Sequence, residues 1–132
     1  MKTLGAAGFG ASALAAYLCG LSVECVLRSL IPPDEDFYDH HDFVTLARLG
    51  ALTLADDAAY KRLGTLLNEL AILWKNTLRF YPDDLFAAFC KKRARSIGLR
   101  IDRGARPATV VCRRLLQLSD LAFTECEILW LK

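Results

Sequence analysis

Residues 13–31 read ALAAYLCGLSVECVLRSLI, and this stretch decides the fold class. Leu14, Leu18, Leu21 and Cys25 recur at helical spacing, with Ala15, Ser22 and Val26 beside them, so the segment is an apolar-striped helix. Glu24 and Arg28 stand four apart on the other side, an order of charges that supports an exposed helix face.

Outward from this segment, turn signals divide the chain into further helices. The first helix runs from about Ala11 to Leu30 and is stopped by Pro32-Pro33. Residues 34–42, DEDFYDHHD, form a polar loop, and Asp42 is placed to cap a short helix carrying Phe43, Leu46, Leu49 and Leu52. Asp56-Asp57 open the next helix, with Leu63, Leu66, Leu67, Leu70, Leu73, Trp74 and Leu78 on its apolar stripe, and Pro82 ends it. Asp83 caps a helix running to about Ile97, with Gly98 as its stop. The basic connector LRIDRGAR, residues 99–106, leads to Pro107 in the first turn of a last helix. Its apolar positions include Val111, Leu115, Leu118, Leu121, Ala122, Ile128 and Leu129. No strand-like alternation, repeat or linker interrupts the pattern. The expected architecture is all-α, one domain over residues 1–132, an antiparallel bundle of four to five helices.

Composition agrees with a packed core. Apolar residues make up 54% of the 132 and charged residues 24%, which excludes a disordered chain. The net charge of +2 is unevenly spread. Residues 1–60 hold three Lys/Arg against eight Asp/Glu, and residues 61–132 hold fourteen against seven. Such asymmetry points to self-association or to a basic surface for an anionic partner. The five cysteines are odd in number and none has C-x-x-C spacing, so reduced thiols in a cytoplasmic protein are expected rather than disulfides or zinc. Thr3 to Val23 carries no charge, but Gly5, Gly8, Gly10 and Gly20 weaken a membrane span, and a buried bundle helix accounts for the run.

Three patches in order resemble the HEPN-domain family of small helical prokaryotic proteins. Tyr17-Leu18, followed by Val23-Glu24-Cys25, Arg28 and aliphatics, is similar to a helix of that family. His41-Asp42-Phe43 resembles its "His-Asp-Leu" helix entry, and residues 74–82, WKNTLRFYP, resemble a stretch ending in "Leu-Arg-Tyr". The patches fall in the first two-thirds of the chain, and residues 1–12 look like a shortened version of the family's preceding helix. The resemblance implies an HEPN-like helical bundle, a homodimer, and a nucleotidyltransferase-type protein partner of the toxin–antitoxin kind. Many members are metal-independent ribonucleases that use an Arg and a His at short spacing. A cation there stabilises the phosphorane while a polar group handles the 2′-hydroxyl proton.

That motif is absent here. Its nearest counterpart is Lys75-Asn76, and the position five beyond Lys75 is Phe80. The only histidines, His40 and His41, lie upstream. The expected function is therefore non-catalytic: a homodimeric binding or regulatory module for a partner protein or RNA, without cofactor. The enzymatic alternative is a divergent ribonuclease with Lys75 and Arg79 facing phosphate, Asn76 beside them and Tyr81 carrying the proton; the plainer account of Tyr81 is packing at a helix end. A third alternative is a structural antitoxin- or toxin-type partner protein.

Candidate RNA contacts are Lys91, Lys92, Arg93, Arg95, Arg100 and Arg103, within a segment 91–114 where nine positive charges meet only Asp102. The competing account is a solvated helix face with salt bridges to the acidic half. Asp39, His40 and His41 are the weak metal candidates, in a loop with seven Asp/Glu/His in nine positions but without calcium-loop spacing. Helix capping explains that loop more simply.

Overall fold

The structure is a computed structural model that describes residues 12–31, 41–51 and 57–130. Among the described residues it is all-helical. The elements are α1 (Ala13–Ser29), α2 (Phe43–Ala51), α3 (Asp57–Leu73), a 3₁₀ turn (Asn76–Phe80), α4 (Asp83–Ser96) and α5 (Pro107–Trp130).

Local chemistry sets the ends. Ser12 caps α1, its Oγ accepting from the Ala15 amide at 3.0 Å. Asp42 caps α2 as the sequence predicts, accepting from the Val44 amide and the Thr45 hydroxyl. Asp83 is not the cap of α4; Pro82 holds that position, and Asp83 and Asp84 lie in the first turn, favourable for the helix dipole. Gly98, at φ +68°, closes α4 in a Schellman arrangement: the Gly98 amide donates to Arg95 O and the Leu99 amide to Ala94 O.

α5 is the spine, packed against α1, α3 and α4. It runs antiparallel to α3, because Glu69 pairs with Arg114 while Arg62 pairs with Glu125. It runs parallel to α1, because Cys112 Sγ lies 3.6 Å from Ser12 O and Ser119 Oγ donates to Cys19 O at 3.2 Å. The bundle is thus mixed in direction rather than uniformly antiparallel. Leu27, Leu46, Leu63, Leu67, Leu70, Phe86, Leu115 and Leu118 fill its core, each almost wholly buried. Each such side chain contributes about 1.5–3 kcal/mol of burial.

Three expectations are corrected here. The α1 stripe of Leu14, Leu18 and Cys25 faces outward, with Leu14 58% exposed. The buried side is instead Ala16, Tyr17, Gly20, Val23, Glu24 and Leu27, where small residues let neighbouring elements approach. The long helix expected to reach Pro82 ends at Leu73. Lys75 is extended, and the chain resumes as the 3₁₀ turn that drives Leu78 into the core. Trp74 causes this break: its indole N–H donates to Tyr17 O at 3.1 Å and its ring occupies the space above Gly20. In α5, Leu121 is exposed and Cys112, Ser119 and Cys126 take its expected place inside.

All five cysteines are free. Cys19, Cys90, Cys112 and Cys126 are buried and Cys25 is exposed. Burial pushes the four buried thiols up in pKa. An aromatic disulfide reagent is therefore expected to titrate one thiol in the native protein and all five in denaturant; rapid native labelling of a second would contradict the burial. No helix among the described residues is long and apolar enough to cross a membrane.

Candidate functional site

Three clusters of polar chemistry emerge from this framework. The first is the C-terminal half of α4 with its connector. Lys91 and Arg95 lie one helical turn apart on α4, and both are exposed. The connector turns at Gly98 and again at Gly104, φ +86°, and its Leu99 and Ile101, with Pro107, line a recess of about 320 Å³ together with the two cations. A second recess of about 260 Å³ beside it is lined by Ala88, Lys91, Lys92 and Arg95.

The basic residues of this region divide by what they touch. Lys91, Lys92, Arg95, Arg103 and Arg106 are exposed and make no ion pair among the described residues. Arg100 pairs with Asp102 at 3.0 Å on an open surface, where such a pair is weak. Arg114 is committed to Glu69 through a two-pronged contact. Arg93, a candidate phosphate contact on the sequence, is engaged internally: its Nη1 donates to Ile72 O at 3.2 Å, and its guanidinium stands 5.0 Å from the Phe89 ring centre. It ties α4 to the end of α3. No ion pair links the cluster to the acidic half of the chain among the described residues.

The second cluster is the 3₁₀ turn. Lys75 and Tyr81 both meet Phe89, the ammonium 5.8 Å from the ring centre and the phenol ring edge-on at 5.7 Å. Arg79 turns elsewhere, donating to Tyr17 Oη at 2.8 Å and lying over the Tyr17 and Phe80 rings. Lys75 and Tyr81 therefore share one neighbour, while Arg79 is tied to α1.

The third cluster was only half legible. Glu24 is buried rather than on an exposed face. Its carboxylate meets Arg28 Nε at 3.4 Å and His41 Nδ1 at 3.1 Å. His41 Nδ1 also faces Arg28 Nη2 at 3.4 Å, so Glu24 and Arg28 meet at one ring nitrogen. His41 in turn lines a recess of about 180 Å³ with Asp42, Phe43, Ala71, Trp74, Lys75 and Asn76. Residues far apart in sequence are brought together there. Asp39 and His40, the other metal candidates, lie outside the described residues, and no group of three metal-binding side chains occurs among those described.

Sequence reasoning also missed the apolar floor beneath Lys91 and Arg95. Its trace was present in the alternation of Leu99 and Ile101 within an otherwise basic connector. The chain matches no protein-family model, no curated protein and no solved structure.

Proposed function

We propose that this chain is a non-catalytic, HEPN-like binding module that takes RNA on the cationic surface of α4 and the connector that follows it. The observation that supports this most is that Lys91, Lys92, Arg95, Arg103 and Arg106 are exposed and make no ion pair among the described residues. Cations kept free of carboxylates are available to displace counterions from phosphate. The outward, uncharged face of α1, with Leu14 and Leu18 exposed, favours a homodimer whose partner copy covers it.

Binding of fluorescein-labelled single-stranded RNA, followed by anisotropy over a salt series, tests the reading. Five phosphate contacts give a log–log slope of about −3.5, so affinity falls about a hundredfold between about 50 and about 200 mM salt. Lys91→Glu with Arg95→Glu weakens binding at least about tenfold, whereas Arg93→Gln lowers stability before affinity. No binding at low salt retires RNA as the ligand and leaves a protein partner, of the nucleotidyltransferase kind, as the occupant of this surface.

A second reading is favoured by the meeting of His41 with Lys75 and Asn76. In a metal-independent ribonuclease, His41 Nε2 would take the proton of a 2′-hydroxyl as its oxygen attacks phosphorus. Lys75 would offset the phosphorane charge while the P–O5′ bond breaks and the 5′-oxygen takes a proton from solvent water, giving a 2′,3′-cyclic phosphate and a 5′-hydroxyl. RNA that stays whole on a gel after prolonged incubation removes this reading. Cleavage abolished by His41→Ala and reduced by Glu24→Gln supports it.

A further inference from the structure

The cations above the connector do not stand on a flat surface, and the shape beneath them narrows the ligand. Lys91 and Arg95 are four residues apart on α4, about 6 Å along its axis. The recess they border is floored by Leu99, Ile101 and Pro107, three half-buried apolar residues. Its volume of about 320 Å³ is at the small end of ligand sites. The connector that makes the floor is held in place at both of its turns. Leu99 is held by its amide N–H donating to Ala94 O at 2.9 Å, and the second turn by the Ala105 amide donating to Asp102 O at 2.9 Å. An apolar recess bordered by two cations suits a ligand that is anionic at one end and presents a flat, poorly hydrated face at the other.

We infer that the recess beneath Lys91 and Arg95 receives an unpaired nucleotide, with its base on Leu99, Ile101 and Pro107 and its phosphates on the two cations. This rests on the proposed RNA-binding role and adds a choice within it: single strands over duplexes. In a duplex the bases are stacked inside, so a helix of RNA lying on α4 reaches the cations and leaves the apolar floor wet. A free base covers that floor and gains the contact. Phosphate attraction alone is indifferent to whether bases are present, so the two contributions separate by experiment.

The full-length chain is titrated at about 50 mM salt against three fluorescent probes, each roughly twelve nucleotides long: a single-stranded uridine oligomer, a ribose-phosphate oligomer of the same length lacking bases, and a duplex. The strand is expected to bind about tenfold more tightly than the abasic oligomer and than the duplex measured per phosphate. Ile101→Ser is expected to bring the strand to the abasic level while abasic binding stays unchanged, with some loss of thermal stability because Ile101 packs against the core. Leu99→Ala gives the same readout if Ile101→Ser proves unstable. Equal binding of strand and abasic oligomer overturns the recess while leaving the phosphate surface in place. Preference for the duplex also overturns it. Failure of all three probes to bind overturns the RNA reading as well.

Discussion

Raising the pH from about 9 to about 11 is expected to strip this fold of most of its stability, and replacing three buried thiols by alanine is expected to remove much of that sensitivity. Burial, which disfavours the thiolate, pushes Cys90 and Cys112 up to about 12 and Cys126 up to about 11, from an ordinary 9.0. In the unfolded chain the same groups ionise near 9.0, so above that pH the folded state holds protons that the unfolded state has released. Stability from a raised pKa is fully present below the unfolded value and is lost as pH climbs toward the folded one.

Each such group costs about 1.4 kcal/mol per pH unit within its window, so three cost about 4 kcal/mol per unit. That is a large part of the ~5–15 kcal/mol by which domains are ordinarily stable. Urea midpoints at about pH 8 and about pH 10 would show the loss. The Cys90→Ala, Cys112→Ala, Cys126→Ala variant starts less stable, because it carries small cavities, yet declines far less with pH. A parallel decline in both proteins would assign the effect to lysines and tyrosines instead.

The second large effect comes from one atom group added at two glycines. Gly20→Ala is expected to destabilise the chain by about 3 kcal/mol or more, whereas Gly64→Ala is expected to stabilise it by about 0.5–1 kcal/mol. A Cβ on Gly20 would clash with the indole ring of Trp74. That ring is held by its hydrogen bond to Tyr17 O and packs at 4.9 Å from the Phe43 ring centre, so moving it aside breaks both contacts. Gly64, in the middle of α3, meets nothing within 4 Å of the added carbon. There alanine merely improves helix propensity. Chemical denaturation of both variants measures the pair, and a Gly20→Ala loss below about 1 kcal/mol would mean that Trp74 does not hold this notch rigidly.

Several helix ends set by local chemistry were legible in the sequence, although the cap expected at Asp83 falls at Pro82 instead. Asp42 before α2, Gly98 after α4 and Pro107 at the start of α5 each act through atoms a few residues away, and each was predicted. What depended on tertiary contact was not. Residues 13–31 are apolar nearly all round, so periodicity picked out Leu14 and Leu18, while packing chose the small residues and Tyr17. The break after Leu73 follows from Trp74 reaching across to α1, which no spacing within its own segment reveals. The candidate site divided in the same way. The run of basic residues was plain, but the removal of Arg93 and Arg114 into internal contacts, and the recruitment of Glu24 to hold His41, require knowing which helices are neighbours.

The side-by-side, same-direction run of α1 and α5 also bears on how the molecule comes into being. Its two tie points, Ser12 with Cys112 and Ser119 with Cys19, each span 100 residues of chain. A ribosome adding about 5–20 residues per second leaves α1 without its neighbour for many seconds, its apolar surface open to chaperones and to other nascent chains. Closure of the core therefore waits on the synthesis of α5, and a message cut short before α5 yields a product with no spine on which to fold.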